Sequence, residues 1–500
     1  MANSVTASQY RVINQKIRNK YIKINLLNFD YLIVDTLEGN AIEGTINING
    51  SSDIRRTCNV SFVLTDSTFN VEVGGKIWLD KYVQIYVGIE DMITSEIAWT
   101  NMGIFLINKP SYNYDASTKK MSFEGVDLMA KMTGLRNGYI KGINNEGFTL
   151  IPAGSNVRNA IIAVLQECGF TKYYVSECEI LSNDPEAEPA IQAVPYDMKF
   201  NQGSTWYNVL TALRDIIPSY QIFFDVDGVF RYEKIPYSIE DPVMITEEIW
   251  ENNVISENIE VDFESIKNVV EVFGRVHEVE SYSPKESTTI SGRNITPHWE
   301  GVENLSNFQM FAFSVSSNIN NENGFNILFS RTVNEGGVIV TYNDIYSLVD
   351  YSGNNIISLE KDKYYVICCQ PNQKFLFLGG NQAYAIWKDE NPESPFYING
   401  DMGEINIPLY GGEYDNILSD DLALERAKYE IYKRCRLNDS ISLTTVPIYW
   451  ADVNWKISYT PFNSGNISQE YMIQSISTPL SVSGTQSIKL IKFYPLYPIV

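Results

Sequence analysis

Residues 103–125 read GIFLINKPSYNYDASTKKMSFEG, and residues 471–492 read YMIQSISTPLSVSGTQSIKLIK. In each, a strand meets a proline-bearing crossing segment, then a Ser/Thr turn, then a strand in which Lys, Ser and apolar residues alternate. Alternation at period two packs one face and leaves the other wet, as in an antiparallel sheet or barrel. A strand with tryptophan and tyrosine nearby precedes each copy, Trp78–Tyr86 and Trp455–Tyr459. The echo is one of layout rather than identity. It raises a duplicated β domain, the kind of repeat to be sought before a fold is chosen.

Outward from the first copy, Lys20 to about residue 135 reads as β. The runs Ile42–Ile48, Asn59–Thr65, Tyr82–Val87 and Lys120–Glu124 alternate, and Gly74-Gly75 and Asp115–Thr118 supply turns. Residues 136–260 change character. Val157, Ile161, Val164, Leu165 and Cys168 recur at helical spacing, with Ser155 or Asn156 placed to cap and Gly169 following. A second helix carries Trp206, Val209, Leu210, Leu213 and Ile217 up to Pro218, and Asp184–Pro189 reads as an exposed linker. Asp225-Val226-Asp227-Gly228 lies between two alternating apolar runs, so it is a hairpin turn; as a calcium loop it lacks the remaining ligands.

A strand, Lys267–Gly274, follows. An Asn- and Ser-rich β region has turn signals at Asn323-Gly324, Gly336-Gly337 and Gly379-Gly380. One helix then opens on Ser419, Asp420 and Asp421 and closes on Lys433, Arg434 and Arg436, complementing its dipole. Leu424, Ala427, Ile431 and Cys435 trace its apolar stripe, with Glu430 and Arg434 as an i,i+4 pair. The expected fold is mainly β with some α: two related antiparallel β-barrel domains, a small α+β insert and a larger β-rich insertion. The divisions are an N-terminal arm at 1–18 and a first barrel at 19–135. A small α+β domain at 136–260 has two helices and a hairpin. The second barrel combines 261–280 with 437–500, the insertion is 281–418, and the helix 419–436 leads back into the second barrel. The arm is polar and expected to order on contact with a neighbour.

Composition narrows the function classes. The 500 residues imply about three or four domains. At 44% hydrophobic and 20% charged the chain is globular, and its formal charge of −23 disfavours broad electrostatic binding of nucleic acid or anionic lipid. No apolar run is long enough for a membrane span, and the first residues lack a signal-peptide core. Six cysteines without a CxxC pair point to reduced, buried thiols. His277 and His298, the only histidines, have no cysteine or second histidine at metal-ligand spacing. No GxSxG elbow, phosphate loop or dinucleotide fingerprint occurs. Carboxylates are plentiful, so composition leaves a glycosidase-type pair open. No catalytic, cofactor-binding or metal-binding residue is assigned.

The order of these segments, with three motifs, resembles the central hub proteins (gp27-like) of contractile phage tails and phage-tail-like particles. Lys267, Asn268, Val270, Val272 and Gly274 match a K-N-x-V-x-V-x-G strand. Leu422–Arg436 match a Leu/Ala-rich helix before the last barrel segment. Tyr471, Ile473, Ser475 and Ile476, with Gly484 and Thr485, match a closing Y-x-I-x-S-I strand and hairpin. Residues 281–418 have no counterpart. The resemblance implies two related barrels per subunit and a homotrimer whose six barrels meet a sixfold tail tube above and a threefold spike below. It implies a non-enzymatic virion protein of the tail baseplate, without cofactor or specific nucleic-acid binding, assembled in the bacterial host cytoplasm. Its partners would be a tail tube or distal tail protein, a spike or tail-tip protein, and baseplate wedge or sheath-initiator proteins. Two other functions compete. A carbohydrate- or receptor-binding tail-tip protein could stack sugars on Trp299 and Trp387. A wall hydrolase would need a further domain, for which the end at Val500 leaves no room.

Overall fold

In the computed structural model the described residues are 5–38, 42–63, 71–114, 119–140, 149–152, 154–177, 194, 198–201, 203–217, 220–276, 288–290, 298–305, 308–314, 317–335, 338–349, 355–361, 364–369, 375–380, 382–389, 392, 403–417, 420–435, 438–465, 467–481 and 483–495. The fold is mainly β and is dominated by one large antiparallel sheet. Helix α1 (Ala7–Ile13) opens it with a capping box, in which the Gln9 N–H donates to Thr6 Oγ1 at 3.2 Å and the Thr6 N–H to Gln9 Oε1 at 2.9 Å. The polar arm folds on its own sheet rather than awaiting a neighbour. Val12 and Ile13 are buried, and Gln9 Nε2 donates to the Trp99 carbonyl at 3.0 Å.

The first unit comprises β1 (Lys20–Leu27), β2 (Ile33–Glu38), β3 (Ile42–Asn49), β4 (Arg56–Val63), β5 (Tyr82–Glu90), β6 (Ile97–Tyr114) and β7 (Lys119–Val126). They pair in the order β3-β4-β7-β6-β5-β1-β2. Pro110 does not break its segment, for β6 runs through it. The Asp115–Thr118 turn lies outside the described residues.

The helical unit holds β8 (Thr149–Ile151), α2 (Val157–Glu167), β9 (Tyr173–Val175), β10 (Met198–Phe200), α3 (Trp206–Asp215), β11 (Tyr220–Phe224) and β12 (Phe230–Lys234). Asn156, not Ser155, caps α2; its Oδ1 accepts the Asn159 N–H at 3.0 Å. The helices bury Ile161, Leu165, Val209 and Leu213 in a core shared with Ile104 and Leu106 of β6, so this unit is docked on the first. At the β11–β12 turn Gly228 takes φ +71°, and Asp225 Oδ1 accepts the Asp227 and Val229 N–H groups at 3.0 Å each. The Asp184–Pro189 linker lies outside the described residues.

Helix α4 (Glu247–Asn253) leads into β13 (Val254–Asp262), which runs across residues 260 and 261, and then β14 (Val269–Val276). Next come β15 (Thr288–Ile290), β16 (His298–Leu305), β17 (Phe308–Ser314), β18 (Ile319–Asn320), β19 (Asn326–Glu335), β20 (Val338–Val349), β21 (Ser358–Leu359), β22 (Tyr364–Cys369) and β23 (Phe375–Gly380). Of β15–β23, all but β18 and β21 form a seven-stranded sheet, ordered β15-β19-β20-β23-β22-β17-β16. Gly379 and Gly380 end β23 rather than form a turn, and Gly336-Gly337 lie outside the described residues. Strand β14, the Asn-Val-Val segment, pairs with β24 (Gln382–Lys388) and β25 (Asn406–Leu409), and α5 (Asp420–Arg434) packs on that small sheet.

The chain closes with β26 (Asn438–Thr445), β27 (Lys456–Tyr459), β28 (Gln469–Pro479) and β29 (Gln486–Lys492). Their order, β13-β26-β29-β28-β27, reproduces β3-β4-β7-β6-β5 element for element. The registers agree too. Leu106 faces Val126, as Met472 faces Ile491, and each ladder then slips by a residue, between Ile107 and Lys109 and between Ile473 and Ser475. Tyr82 faces Leu106 as Lys456 faces Met472, and Thr57 faces Val126 as Ser440 faces Ile491. Ile46 opposite Cys58 is matched by Ile259 opposite Ile441. The two units therefore carry the same strand arrangement and share one apolar core.

Close backbone approach fixes Gly44 in β3. It has φ +148°, and a Cβ there would lie 1.9 Å from the Asn59 carbonyl oxygen. Gly44→Ala is expected to cost at least about 2 kcal/mol from backbone strain and overlap. Urea unfolding reads this out, and a loss under about 0.5 kcal/mol, the size of a neutral surface change, would contradict the packing.

Candidate assembly surface and its charged junction

No catalytic constellation was assigned from the sequence, so the candidate site is a surface built by the sheet itself. Strand β28 pairs with β3 over Ser475↔Asn49, Ile476↔Ile48, Ser477↔Asn47, Thr478↔Ile46 and Pro479↔Thr45, joining the two units edge to edge. Backbone bonds run from Gly50 N–H to the Gln474 carbonyl at 3.0 Å and from Leu480 N–H to the Gly44 carbonyl at 2.8 Å. Ser477 Oγ donates to Asn47 Oδ1 at 2.7 Å. One face of the seam is buried, with Ile46 at 0%, Ile48 at 4% and Ile476 at 2% exposure, while Asn47 and Asn49 lie on the exposed face. Lys20 Nζ donates to the carbonyls of Pro479 and Ser481, 2.9 Å each, and burial lowers its pKa to about 8.

Beside the seam, Arg56 links three units. Its buried guanidinium donates to the Phe224 carbonyl of β11 at 2.5 Å and to Asp452 in the loop before β27. Its backbone N–H donates to Asp127 Oδ2 at 2.9 Å. Burial pushes the Asp127 carboxyl up, opposed by the N–H groups of Arg56 and Met129. The Arg55 guanidinium lies 3.8 Å from the Phe223 ring centroid, and burial lowers its pKa to about 10. A cleft here contains Asp225, Arg231, Glu233 and Trp455; Arg231 already meets Asp225 at 2.7 Å and Glu233 at 4.0 Å. Of these charges, Arg56 holds the units together. The hairpin tip docks likewise, with Asn101 Nδ2 donating to the Val226 carbonyl at 2.9 Å and to Asp227 Oδ1 at 2.8 Å.

The residues weighed for ligand chemistry are scattered. His277 lies outside the described residues, and His298 and Trp299 begin β16. Trp387, half-buried in β24, packs against the α5 cluster with Lys428 Nζ 5.2 Å from its ring. On α5 the expected Glu430–Arg434 pair forms at 3.0 Å, and Arg426 adds a second contact to Glu430 at 3.1 Å. Burial opposes ionisation of Glu430, but Lys433, Arg426 and Arg434 hold its carboxyl below the ordinary value.

Sequence reasoning missed the free strand edges. Among the described residues, no strand pairs with the outer side of β13 or with β6 on the side opposite β7 beyond Leu106. Pro110 was the available signal, since within sheets proline is confined to edges and bulges.

Comparison with known proteins now bears on the sheet. Residues 393–497, which include α5 and β26–β29, match a family described only as a domain of unknown function, DUF5048. No curated protein matches the chain. The solved tail protein from Neisseria meningitidis aligns over 95% of this chain and 98% of its own, with 8% identity and a TM-score of 0.50. This chain has that tail protein's fold. A prophage MuSo2 43 kDa tail protein from Shewanella oneidensis aligns over 94% of this chain and 98% of its own, at 11% identity and a TM-score of 0.49. Prophage tail protein gp18 from Listeria monocytogenes aligns over 94% of each chain, at 8% identity and a TM-score of 0.42. The resemblance to phage tail proteins seen in the sequence is matched at the level of the fold by the Neisseria tail protein.

Two outcomes follow from this geometry. Arg56→Met removes a buried guanidinium from Asp452 and should destabilise the chain by about 3–5 kcal/mol in denaturant titration; a change under about 1 kcal/mol would mean the pair holds nothing. Lys20 binds its proton less tightly when folded than the ordinary 10.5. The unfolded chain therefore holds more protons between about pH 8 and 10.5, and stability rises with pH across that window. Through this range the parent chain should gain melting temperature relative to Lys20→Met; parallel curves, or a relative loss, would refute the buried charge.

Proposed function

We propose that this chain is the structural hub of a tail baseplate, acting as a homotrimeric adaptor between a sixfold tube and a threefold spike. The observation that carries this reading is the repeat of one five-strand arrangement, register for register, within a single polypeptide. Three copies of a two-tile chain present six similar tiles to a sixfold neighbour while keeping a threefold axis for the other. A partner above would be a tail tube or distal tail protein, and one below a spike or tail-tip protein. Wedge or sheath-initiator proteins would meet the outer surface. The protein would assemble in the host cytoplasm and reside in the virion.

The charge of −23 supports a lumen through which DNA slides without the counterion release that would hold it. A non-enzymatic role is supported by the use of a buried charge as a tie between units at Arg56. The packing of Trp387 against α5 gives the carbohydrate-binding alternative no support.

Sedimentation of the purified chain should give a mass three times that of one chain, and with its tube partner a complex holding three copies of it. Averaged images of the particle end-on should show six lobes of two alternating kinds. A chain that stays monomeric with the partner present, or closes as a true hexamer, overturns the adaptor.

A further inference from the structure

The internal repeat specifies how one copy would meet the next. In the second unit the β28 edge, beyond its pairing with β27, receives β3. The equivalent edge of the first unit is β6 beyond its pairing with β5, and no described strand receives it. The strand equivalent to β3 is β13, whose outer edge no described strand receives either. One chain thus carries both halves of a second seam, at opposite ends of an eight-strand arc running β13-β26-β29-β28-β3-β4-β7-β6. Within one copy these two edges do not meet, and the end of one copy can pair the start of another.

We propose that β6 of one copy pairs antiparallel with β13 of the next, repeating the β28–β3 seam between chains. This rests on the trimer reading and supplies its interface. Transferring the seam's register gives Lys109 opposite Asp262, Pro110 opposite Val261, Ser111 opposite Glu260 and Tyr112 opposite Ile259. Burial marks the same positions. Thr478 in the seam is 1% exposed and its counterpart Tyr112 36%; Ile48 is 4% exposed and its counterpart Val261 47%. Ile255 and Phe263, flanking this stretch, are 57% and 73% exposed. A long edge bearing exposed apolar residues templates strand addition.

Charge fits as well. Lys109, which meets Glu124 of its own sheet at 3.1 Å, would face Asp262 of the neighbour, and opposite charges directly across a ladder are favourable. Pro110 lacks an N–H, so this ladder forms with one donor fewer than the seam.

Cysteine pairs test the register. Ser111↔Glu260 corresponds to Ser477↔Asn47, a closely approached pair of the seam. The full chain carrying Ser111→Cys and Glu260→Cys, mildly oxidised, should run as a covalent trimer on a non-reducing gel, and Lys109→Cys with Asp262→Cys should do the same. Ser111→Cys with Val261→Cys should not, because adjacent residues point to opposite faces. Equal cross-linking by all three variants, or none by either in-register pair within a trimer, overturns the ladder and leaves the adaptor standing. A chain that stays monomeric with its tube partner overturns both.

Discussion

Five residue pairs between β28 and β3 turn two modest sheets into one, and much of the described molecule leans on that ladder. It is a long-range contact, joining residues 45–49 to 475–479, so forming it closes a loop of nearly the whole polypeptide. The conformational cost is offset by what the ladder covers. Ile46, Ile48, Ile473 and Ile476 belong to one apolar core that also takes in Trp250, Trp450 and Trp455. The units are therefore not beads on a string. Removing either one would expose the other's core.

The ladder also explains where charge is spent inside the molecule. Edge-to-edge joining aligns strands but leaves the helical unit to be fixed in orientation. Arg56 does this from the first residue of β4, reaching a β11 carbonyl and Asp452 at once. A guanidinium suits this work because its planar fork satisfies several acceptors while remaining charged when buried. On α5 the same logic places Arg426 and Glu430 on the buried side of a helix.

That choice marks the limit of what the sequence disclosed. Strand positions were legible from period-two alternation, as in β4, whose residues alternate between buried and less buried along its length. The α2 and α3 helices and the Asp-Gly hairpin were legible from caps and turn chemistry. The α5 stripe was half legible: Ala427 and Cys435 are buried as expected, but Arg426 and Glu430 are buried too. Charged residues read as solvated unless their partners are known, and Glu413 lies too far along the chain to be inferred from helical spacing. The repeat was visible only as layout, since register is a property of pairing and not of composition. The open edge of β6 was signalled only by Pro110, and that of β13 was not visible at all. Val261 in β13 and Ile48 in β3 look alike in sequence, and only their neighbours tell them apart.

The same comparison accounts for the insertion. In the first unit β3 turns directly into β4, with the Asn49 N–H donating to the Arg55 carbonyl at 2.9 Å across a short loop. In the second, the matching connection from β13 to β26 holds residues 263–437, including the seven-stranded sheet and α5. Insertions are best tolerated at hairpin tips, where no ladder bond is broken and the strand ends stay close. The β13–β26 ladder retains the register of β3–β4 over Ser256–Asp262, so the added mass leaves the tile intact. Growth at that tip enlarges one tile of each chain and not the other. In the proposed trimer, three large tiles would then alternate with three small ones, distinguishing a threefold particle from a sixfold one without disturbing the strands that the tiles share.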